Sequence, residues 1–190
     1  AGEQQLFKDP VHELQKQLDQ SRELFVYLLT IVTEVARYAE TDARKKASKH
    51  LPTQEDLNVN IKAAGNELLW QILENESFKR ARESDKVLAS IDKDLVRNIY
   101  NKLIETEEYK IYINQDGREK KNEKALLDFI FNTLMLPNED FESHIEERFN
   151  KNYPEYGGNF LHVIDNYADK AQDLLEKFCE FKTGNELEPQ

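Results

Sequence analysis

The chain is poor in the residues that interrupt helices and in the residue that forms disulfides. Its 190 residues include only six glycines, five prolines and one cysteine. So few glycines and prolines leave room for long helices. The single cysteine, Cys179, excludes an internal disulfide and agrees with a reducing compartment, so we expect a cytoplasmic protein.

Long hydrophobic runs are also missing. The longest apolar run is interrupted by Thr30 and Thr33, and it falls far short of the roughly 18 residues that a membrane span needs. No signal peptide is visible. The chain starts at Ala1 without an initiator methionine and ends in a polar tail, so we expect it to be a fragment of a longer protein.

Positive charge is scarce relative to negative charge. The chain has 26 Lys and Arg against 37 Asp and Glu, a formal net charge of −11. This excess repels phosphate at long range, so the chain as a whole is a poor nucleic-acid binder and no DNA partner is expected. With 39% hydrophobic residues, the chain is long enough to bury a core as one domain or at most two small ones.

What the sequence does have is helical periodicity, which is strongest between Val11 and His50. Apolar or small residues recur there at alternating spacings of four and three, at Leu14, Leu18, Ser21, Phe25, Leu28, Val32, Val35 and Ala39. Only a helix presents this spacing on one face. A second stripe beside it widens the face enough for neighbours on two sides. The pattern predicts a helix from Pro10 to about Ser48 that serves as the spine of a bundle.

The rest of the chain predicts shorter helices packed on this spine. We expect them over about 60–75, 90–113, 121–136, 138–149 and 159–182, with a loop and at most a helical turn over 76–90. Whether Tyr109–Ile113 continues its helix or forms a separate turn is left open. Thr53 and Asp56 have the spacing of a capping box. No strand pattern is present, so we predict an all-α bundle of about five to seven helices over 10–183, between a loose segment 1–9 and a disordered tail 184–190.

The sequence contains few of the residue patterns that mark catalytic or metal-binding sites. A bundle di-iron site needs Glu-x-x-His on facing helices, and the one acidic match, Asp9 to His12, lies at a frayed end. We interpret His144 and Glu147 as a solvated surface pair and Cys179 as a small, buried or half-buried thiol. There is no glycine-rich phosphate loop and no G-x-S-x-G elbow. We therefore predict no catalytic residues, no metal, no cofactor and no enzymatic activity.

Two basic clusters remain as candidate contacts. The first comprises Arg44, Lys45, Lys46, Lys49 and His50 at the end of the spine. The second comprises Arg118, Lys120, Lys121 and Lys124, with Glu119 and Glu123 interleaved. Cations at helix ends are expected without any ligand, and aromatic residues that would stack on bases are missing from both clusters. We favour a structural role for both and keep the first as a candidate RNA or protein contact.

The stretch from Tyr27 to Asn60 also carries a family resemblance. The run Tyr27-Leu28-Leu29 through Arg37-Tyr38-Ala39-Glu40, followed by Lys49-His50-Leu51-Pro52-Thr53-Gln54-Glu55-Asp56-Leu57-Asn58-Val59-Asn60, resembles the amino-terminal region of long-form transcription antitermination factors of the NusB family. Those forms carry an extra helical region between a basic first helix and the ordinary carboxy-terminal half. The resemblance covers about Leu14 to Phe181. Residues 129–145 look like a worn copy of a helix-turn-helix from that half, which suggests a degenerate duplication of the family fold.

The resemblance implies a non-enzymatic helical protein that binds boxA RNA and ribosomal protein S10 within the transcription elongation complex on ribosomal RNA operons. The family's arginine-rich opening helix has no counterpart in residues 1–20, where only Lys8 and Lys16 are basic. None of the family's RNA-binding residues therefore carries over to this sequence. We expect an accessory module of such a factor; the alternatives are a helical protein-interaction scaffold without RNA binding and, third, a helical enzyme.

Overall fold

The structure, a computed structural model, describes residues 10–84 and 86–152. Within these ranges the chain forms nine α-helices, a 3-10 turn (Lys62–Gly65) and a π-helical turn (Ile130–Met135), with no strand. The α-helices are α1 (Pro10–Ala47), α2 (Gln54–Leu57), α3 (Glu67–Glu74), α4 (Glu76–Ser84), α5 (Val87–Ser90), α6 (Lys93–Ile104), α7 (Glu107–Asn114), α8 (Lys120–Phe129) and α9 (Glu139–Asn152). The all-α prediction is confirmed. The expected helix over 159–182, Cys179, the segment 1–9 and the tail 184–190 lie outside the described residues.

Helix α1 is the axis of the bundle. It has 38 residues, ends one residue before the predicted position, and packs against α6, the 3-10 turn, α4 and α2. Thr30 and Thr33 are fully buried in its apolar middle. Their hydroxyls donate to the carbonyls of Val26 at 2.6 Å and of Thr30 at 2.8 Å. Because the helix itself satisfies these polar groups, the spine can be buried along its whole middle.

The single helix predicted over 60–75 is wrong, because the chain breaks at Asn66. The 3-10 turn ends there, and the Oδ1 of Asn66 accepts from the backbone N–H of Leu69 at 3.0 Å, which starts α3. The side-chain amide of Asn66 donates to the carbonyl of Glu123 at 3.0 Å. The buried asparagine thus caps α3 and fixes it to α8, with Leu68, Leu69, Ile72 and Leu73 in the core.

Residues 76–90, expected to be mostly loop, contain helices α4 and α5. Only Phe78 and Ala81 of α4 are buried, between charged residues, so the apolar spacing is too sparse to predict a helix. The cluster Tyr109–Ile113 belongs to a separate helix, α7, whose start is capped by the Oγ1 of Thr106 at 3.3 Å from the N–H of Tyr109. Of the two alternatives left open for Tyr109–Ile113, the structure therefore agrees with the one that separates these residues from the preceding helix.

Two of the predicted helices begin at side-chain caps. The Oδ1 of Asp92 accepts from the N–H of Asp94 at 2.7 Å and opens α6, and the Oδ1 of Asn138 accepts from the N–H of Phe141 at 3.0 Å and opens α9. The helix predicted over 121–136 is α8 followed by the π-helical turn. No helix in the described ranges is both long and apolar enough to cross a membrane.

Candidate functional site

The first basic cluster lies at the end of α1 and in the turn that follows, where each of its Lys and Arg residues has a local partner. The pairs are Arg44 with Glu40 (3.7 Å), Lys45 with the hydroxyl of Tyr38 (3.3 Å), Lys46 with Asp42 (3.1 Å) and Lys49 with Asp56 (3.0 Å). His50 is exposed. Residues 34–56 contain five Lys and Arg against five Asp and Glu. The cluster is therefore not the uncompensated positive patch that phosphate binding requires, which favours its structural interpretation.

The turn after α1 is held by the predicted capping box. The N–H of Thr53 donates to Asp56 Oδ2 at 2.9 Å, and the N–H of Asp56 donates to Thr53 Oγ1 at 3.1 Å. The backbone hydrogen bond from Thr53, followed by the bond from Lys49, lowers the pKa of Asp56 to about 2. Leu51 and Leu57 project from this turn with 83% and 54% of their surface exposed. The turn thus presents apolar side chains on a locally ordered backbone.

In the second basic cluster, Arg118 has a structural role. Its Nη1 lies 3.2 Å from Glu123 Oε2, and its Nη2 donates to the carbonyl of Lys62 at 3.0 Å. Glu123, only 1% exposed, also accepts from the hydroxyl of Tyr112 at 2.7 Å and from the N–H of Glu67 at 2.6 Å. Burial, and then the Glu123 carboxylate, raise the pKa of Tyr112 above its ordinary value. Arg118 therefore neutralises a buried carboxylate that joins α8 to the start of α3.

The other cations of the second cluster lie in the first turns of α8. Lys124 pairs with Asp128 at 2.6 Å, while Lys120 and Lys121 are exposed. The first turn of a helix is the positive end of its dipole, where cations are disfavoured. The helix dipole therefore does not account for these two lysines.

A groove of about 540 Å³ separates the second half of α1 from α5 and α6. Tyr38, Leu88, Ile91 and Val96 supply its apolar lining. Its charged lining consists of Glu34, Arg37, Glu40, Arg44, Lys45, Lys93, Asp94 and Arg97. Of the predicted contact residues, Arg44 and Lys45 line this groove, whereas Lys46, Lys49 and His50 do not. Its volume falls within the range of ligand and peptide sites.

Below the groove lies a pair of tyrosines whose contact no sequence pattern predicts. The rings of Tyr38 and Tyr100 are 4.9 Å apart and inclined by 49°. The hydroxyl of Tyr100 donates to Asp42 Oδ2 at 3.0 Å. Burial raises the pKa of Tyr100, and it raises the pKa of Tyr109 to about 12. The ring contact of Tyr38 with Tyr100, and the hydrogen bond from Tyr100 to Asp42, join α1 to α6.

A smaller, acidic cavity of about 190 Å³ lies between α6 and α9. His144 Nε2 is 3.1 Å from Asp92 Oδ2, and Asp140 and Glu147 line the same cavity. The charged contact of His144 is therefore with another helix rather than with Glu147. Within residues 10–84 and 86–152, no group of three or more His, Cys, Asp or Glu side chains has an arrangement that could hold a metal ion.

Comparison with known proteins returns no match. No family model, no curated protein and no solved structure matches the chain. These comparisons therefore do not test the resemblance to the NusB family.

Proposed function

We propose that the chain is a non-enzymatic accessory module of a NusB-like transcription antitermination factor that acts in the cytoplasm. In this proposal boxA RNA, ribosomal protein S10 and the transcription elongation complex are partners of the full-length protein. The resemblance of Tyr27–Asn60 carries the proposal. These residues form the buried half of α1 and the capped turn after it, so one continuous structural unit corresponds to the stretch that resembles the family.

The charge distribution supports assigning RNA contact to other parts of the full-length protein. The cations at the end of α1 are paired locally, and Arg118 is paired with Glu123. RNA affinity depends on cations that are free to replace the counterions of phosphate. A module in which Arg44, Lys46, Lys49 and Arg118 are paired with carboxylates, in a chain of net charge −11, contributes little to that affinity.

The test is a titration of fluorescent boxA RNA with the full-length protein and with the 190-residue chain at two salt concentrations. We expect the full-length protein to bind RNA with an affinity that falls steeply as salt rises, and the chain to show no binding. In the full-length protein, the double change Lys45→Glu with Lys46→Glu should alter RNA affinity by less than about twofold, since both lysines have local partners and do not contact the RNA in this proposal.

Three results would contradict this proposal. Failure of the full-length protein to bind boxA RNA would remove the antitermination role. Steep, salt-dependent RNA binding by the 190-residue chain, or a loss of more than about tenfold in the double variant, would show that this module contacts RNA directly.

A protein-interaction scaffold without RNA binding is the second candidate. The observation that favours it is the exposure of Leu51 and Leu57 on the hydrogen-bonded turn. Exposed apolar residues on ordered backbone are typical of protein contacts. This candidate predicts that the full-length protein binds no boxA RNA but binds purified ribosomal protein S10, and that Leu51→Asp with Leu57→Asp abolishes that binding.

A further inference from the structure

The groove between α1 and α5–α6 has a chemistry that the antitermination proposal does not use. Leu88 stands at its wall with 44% of its surface exposed, while Ile91 and Val96 are buried beside it. Covering exposed apolar surface with a second apolar group is favourable, because it removes both surfaces from water. The groove therefore offers a place for one hydrophobic side chain of a ligand.

The cations around the groove outnumber the carboxylates. The five cations are Arg37, Arg44, Lys45, Lys93 and Arg97, and the three carboxylates are Glu34, Glu40 and Asp94. The local excess is positive, although the chain as a whole carries −11. The groove is thus a positive region on an acidic protein, which attracts a negatively charged ligand.

Among the described residues, two of these cations, Lys45 and Lys93, have no carboxylate as a partner. Lys45 contacts the hydroxyl and the ring of Tyr38, and Lys93 has no ion pair with any residue of 10–84 or 86–152. The arginines, by contrast, pair with carboxylates three or four residues away on their own helices: Arg37 with Glu34 (3.8 Å), Arg44 with Glu40 (3.7 Å) and Arg97 with Asp94 (3.0 Å). Such exposed pairs are weak, so a ligand can compete for the arginines as well.

We propose that this groove binds a short acidic, amphipathic peptide segment of a partner protein. Carboxylates of the peptide pair with Lys45 and Lys93, and one apolar side chain of the peptide packs on Leu88. The floor is preorganised for this role, because the ring of Tyr38 packs at an angle against the ring of Tyr100. A preorganised floor lowers the ordering cost of binding.

A peptide fits this groove better than a nucleic acid does. Glu34, Glu40 and Asp94 repel a continuous phosphate backbone, and a phosphodiester has no group that uses the apolar surface of Leu88. A peptide can place its carboxylates beside the lysines and avoid the acidic positions. The inference does not depend on the antitermination role.

The probe for this inference is a labelled helical peptide of about 12 residues, three turns long, with glutamates on one face and leucines at spacings of three and four. Fluorescence anisotropy with the intact chain at low salt should show saturable binding that weakens as salt rises. The same peptide with glutamine in place of glutamate should bind at least about tenfold more weakly. An RNA of about 12 nucleotides should show no binding.

Substitutions of one charged and one apolar residue of the groove test whether the peptide binds there. Lys93→Glu should raise the Kd of the peptide about fivefold, and Leu88→Asp should raise it about tenfold. Lys93 opens α6, where a glutamate suits the helix dipole, so Lys93→Glu is expected to fold. The matched controls are Lys121→Glu and Ile111→Asp, which make corresponding changes at exposed positions outside the groove and should leave the Kd within about twofold.

The proposal fails if the peptide does not bind, or if Lys93→Glu and Leu88→Asp leave its Kd unchanged. It also fails if Lys121→Glu weakens binding as much as Lys93→Glu, because the attraction would then be that of any surface lysine. Binding of RNA instead of peptide, with sensitivity to Lys93→Glu, would make the groove a nucleic-acid site. These outcomes are separate from boxA binding by the full-length protein, which tests the antitermination role.

Discussion

At the scale of single residues, Gly65 and Arg118 pack tightly against each other. A Cβ on Gly65 would lie 2.8 Å from Nη2 of Arg118. The guanidinium cannot easily withdraw, because Nη2 donates to the carbonyl of Lys62 and Nη1 is paired with the buried Glu123. The identity of the neighbour could not be predicted, because Arg118 is distant in sequence.

Gly65→Ala should destabilise the protein by about 1–3 kcal/mol, the usual cost of forcing an extra group into a packed site. Glycine-to-alanine changes otherwise stabilise a helical position by roughly 0.5–1 kcal/mol. In an Arg118→Ala background the same change should therefore be neutral or stabilising. Urea unfolding of the four proteins in a double-mutant cycle measures the difference. An equal cost in both backgrounds would show that the collision with Arg118 is not the cause.

Asp56 gives a prediction that depends on pH. Its pKa is lowered from 3.8 to about 2, chiefly by the backbone N–H of Thr53 and then by Lys49. Because the folded pKa lies below the unfolded value, the contribution of the carboxylate to the capped turn is complete above about pH 4 and is lost as pH falls towards 2. A titration of the Asp56 carboxyl by NMR should have its midpoint near pH 2.

The variant Lys49→Gln should move this midpoint upwards towards 3.8, because the second cause of the lowered pKa is removed. Lys45→Gln is the matched control, since Lys45 contacts Tyr38 rather than Asp56. A midpoint near 3.8 in the unaltered protein would contradict the capping-box geometry.

At the scale of elements, the sequence predicted those helices that are long and have a regular apolar spacing. The bounds of α1 and the caps at Asp92 and Asn138 follow from local patterns. The break at Asn66 was missed because Ile61, Ala64 and Leu68 continue a helical spacing through it. Its cause is a tertiary bond from the side-chain amide of Asn66 to the carbonyl of Glu123, and no local pattern contains that partner.

The two roles of Asn66, as helix cap and as tertiary donor, can be separated by mutation. Asn66→Ala removes both and should cost about 2–3 kcal/mol. Asn66→Asp keeps a cap acceptor but places a carboxylate against the carbonyl of Glu123 and near its buried side chain, so it should be at least as destabilising. The matched position is Asn75, which caps α4 through the N–H of Phe78 at 3.0 Å.

Asn75→Ala should cost about 1 kcal/mol, and Asn75→Asp should be close to neutral because aspartate is an equally good cap. Urea unfolding measures all four variants. If Asn66→Asp is as mild as Asn75→Asp, then Asn66 acts only as a cap and its bond to α8 contributes nothing.

At the scale of the whole molecule, the groove is the feature that sequence reasoning could not reach. Arg44 and Lys45 were candidates because they end a predicted helix, but Leu88 and Lys93 carry no local signal that relates them to α1. They meet the end of α1 only because α5 and α6 pack beside it. A site assembled from separate helices becomes visible only when their packing is known.

Arg148, in the last described helix, α9, contacts residues of α1 and α5. Its Nη2 lies 3.0 Å from Glu23 of α1, its Nη1 donates to Ser90 Oγ at 2.7 Å, and its guanidinium lies 4.5 Å from the centre of the Tyr27 ring. The side chain is 17% exposed, so these contacts are largely shielded from water. One residue thus joins α9 to both α1 and the end of α5.

Arg148→Ala should destabilise the protein by about 2–4 kcal/mol, because it breaks a largely buried ion pair and a cation–π contact. Arg148→Lys should recover part of this loss, since lysine keeps the charge but not the two-armed geometry. Arg97→Ala, which removes an exposed pair with Asp94, is the control and should cost less than about 0.5 kcal/mol.

Amide hydrogen exchange should show the largest loss of protection in α9, while α3, which Arg148 does not touch, stays protected until global unfolding. Uniform loss of protection would mean that α9 is not a separately opening unit, and an unchanged α9 would mean that Arg148 does not hold it.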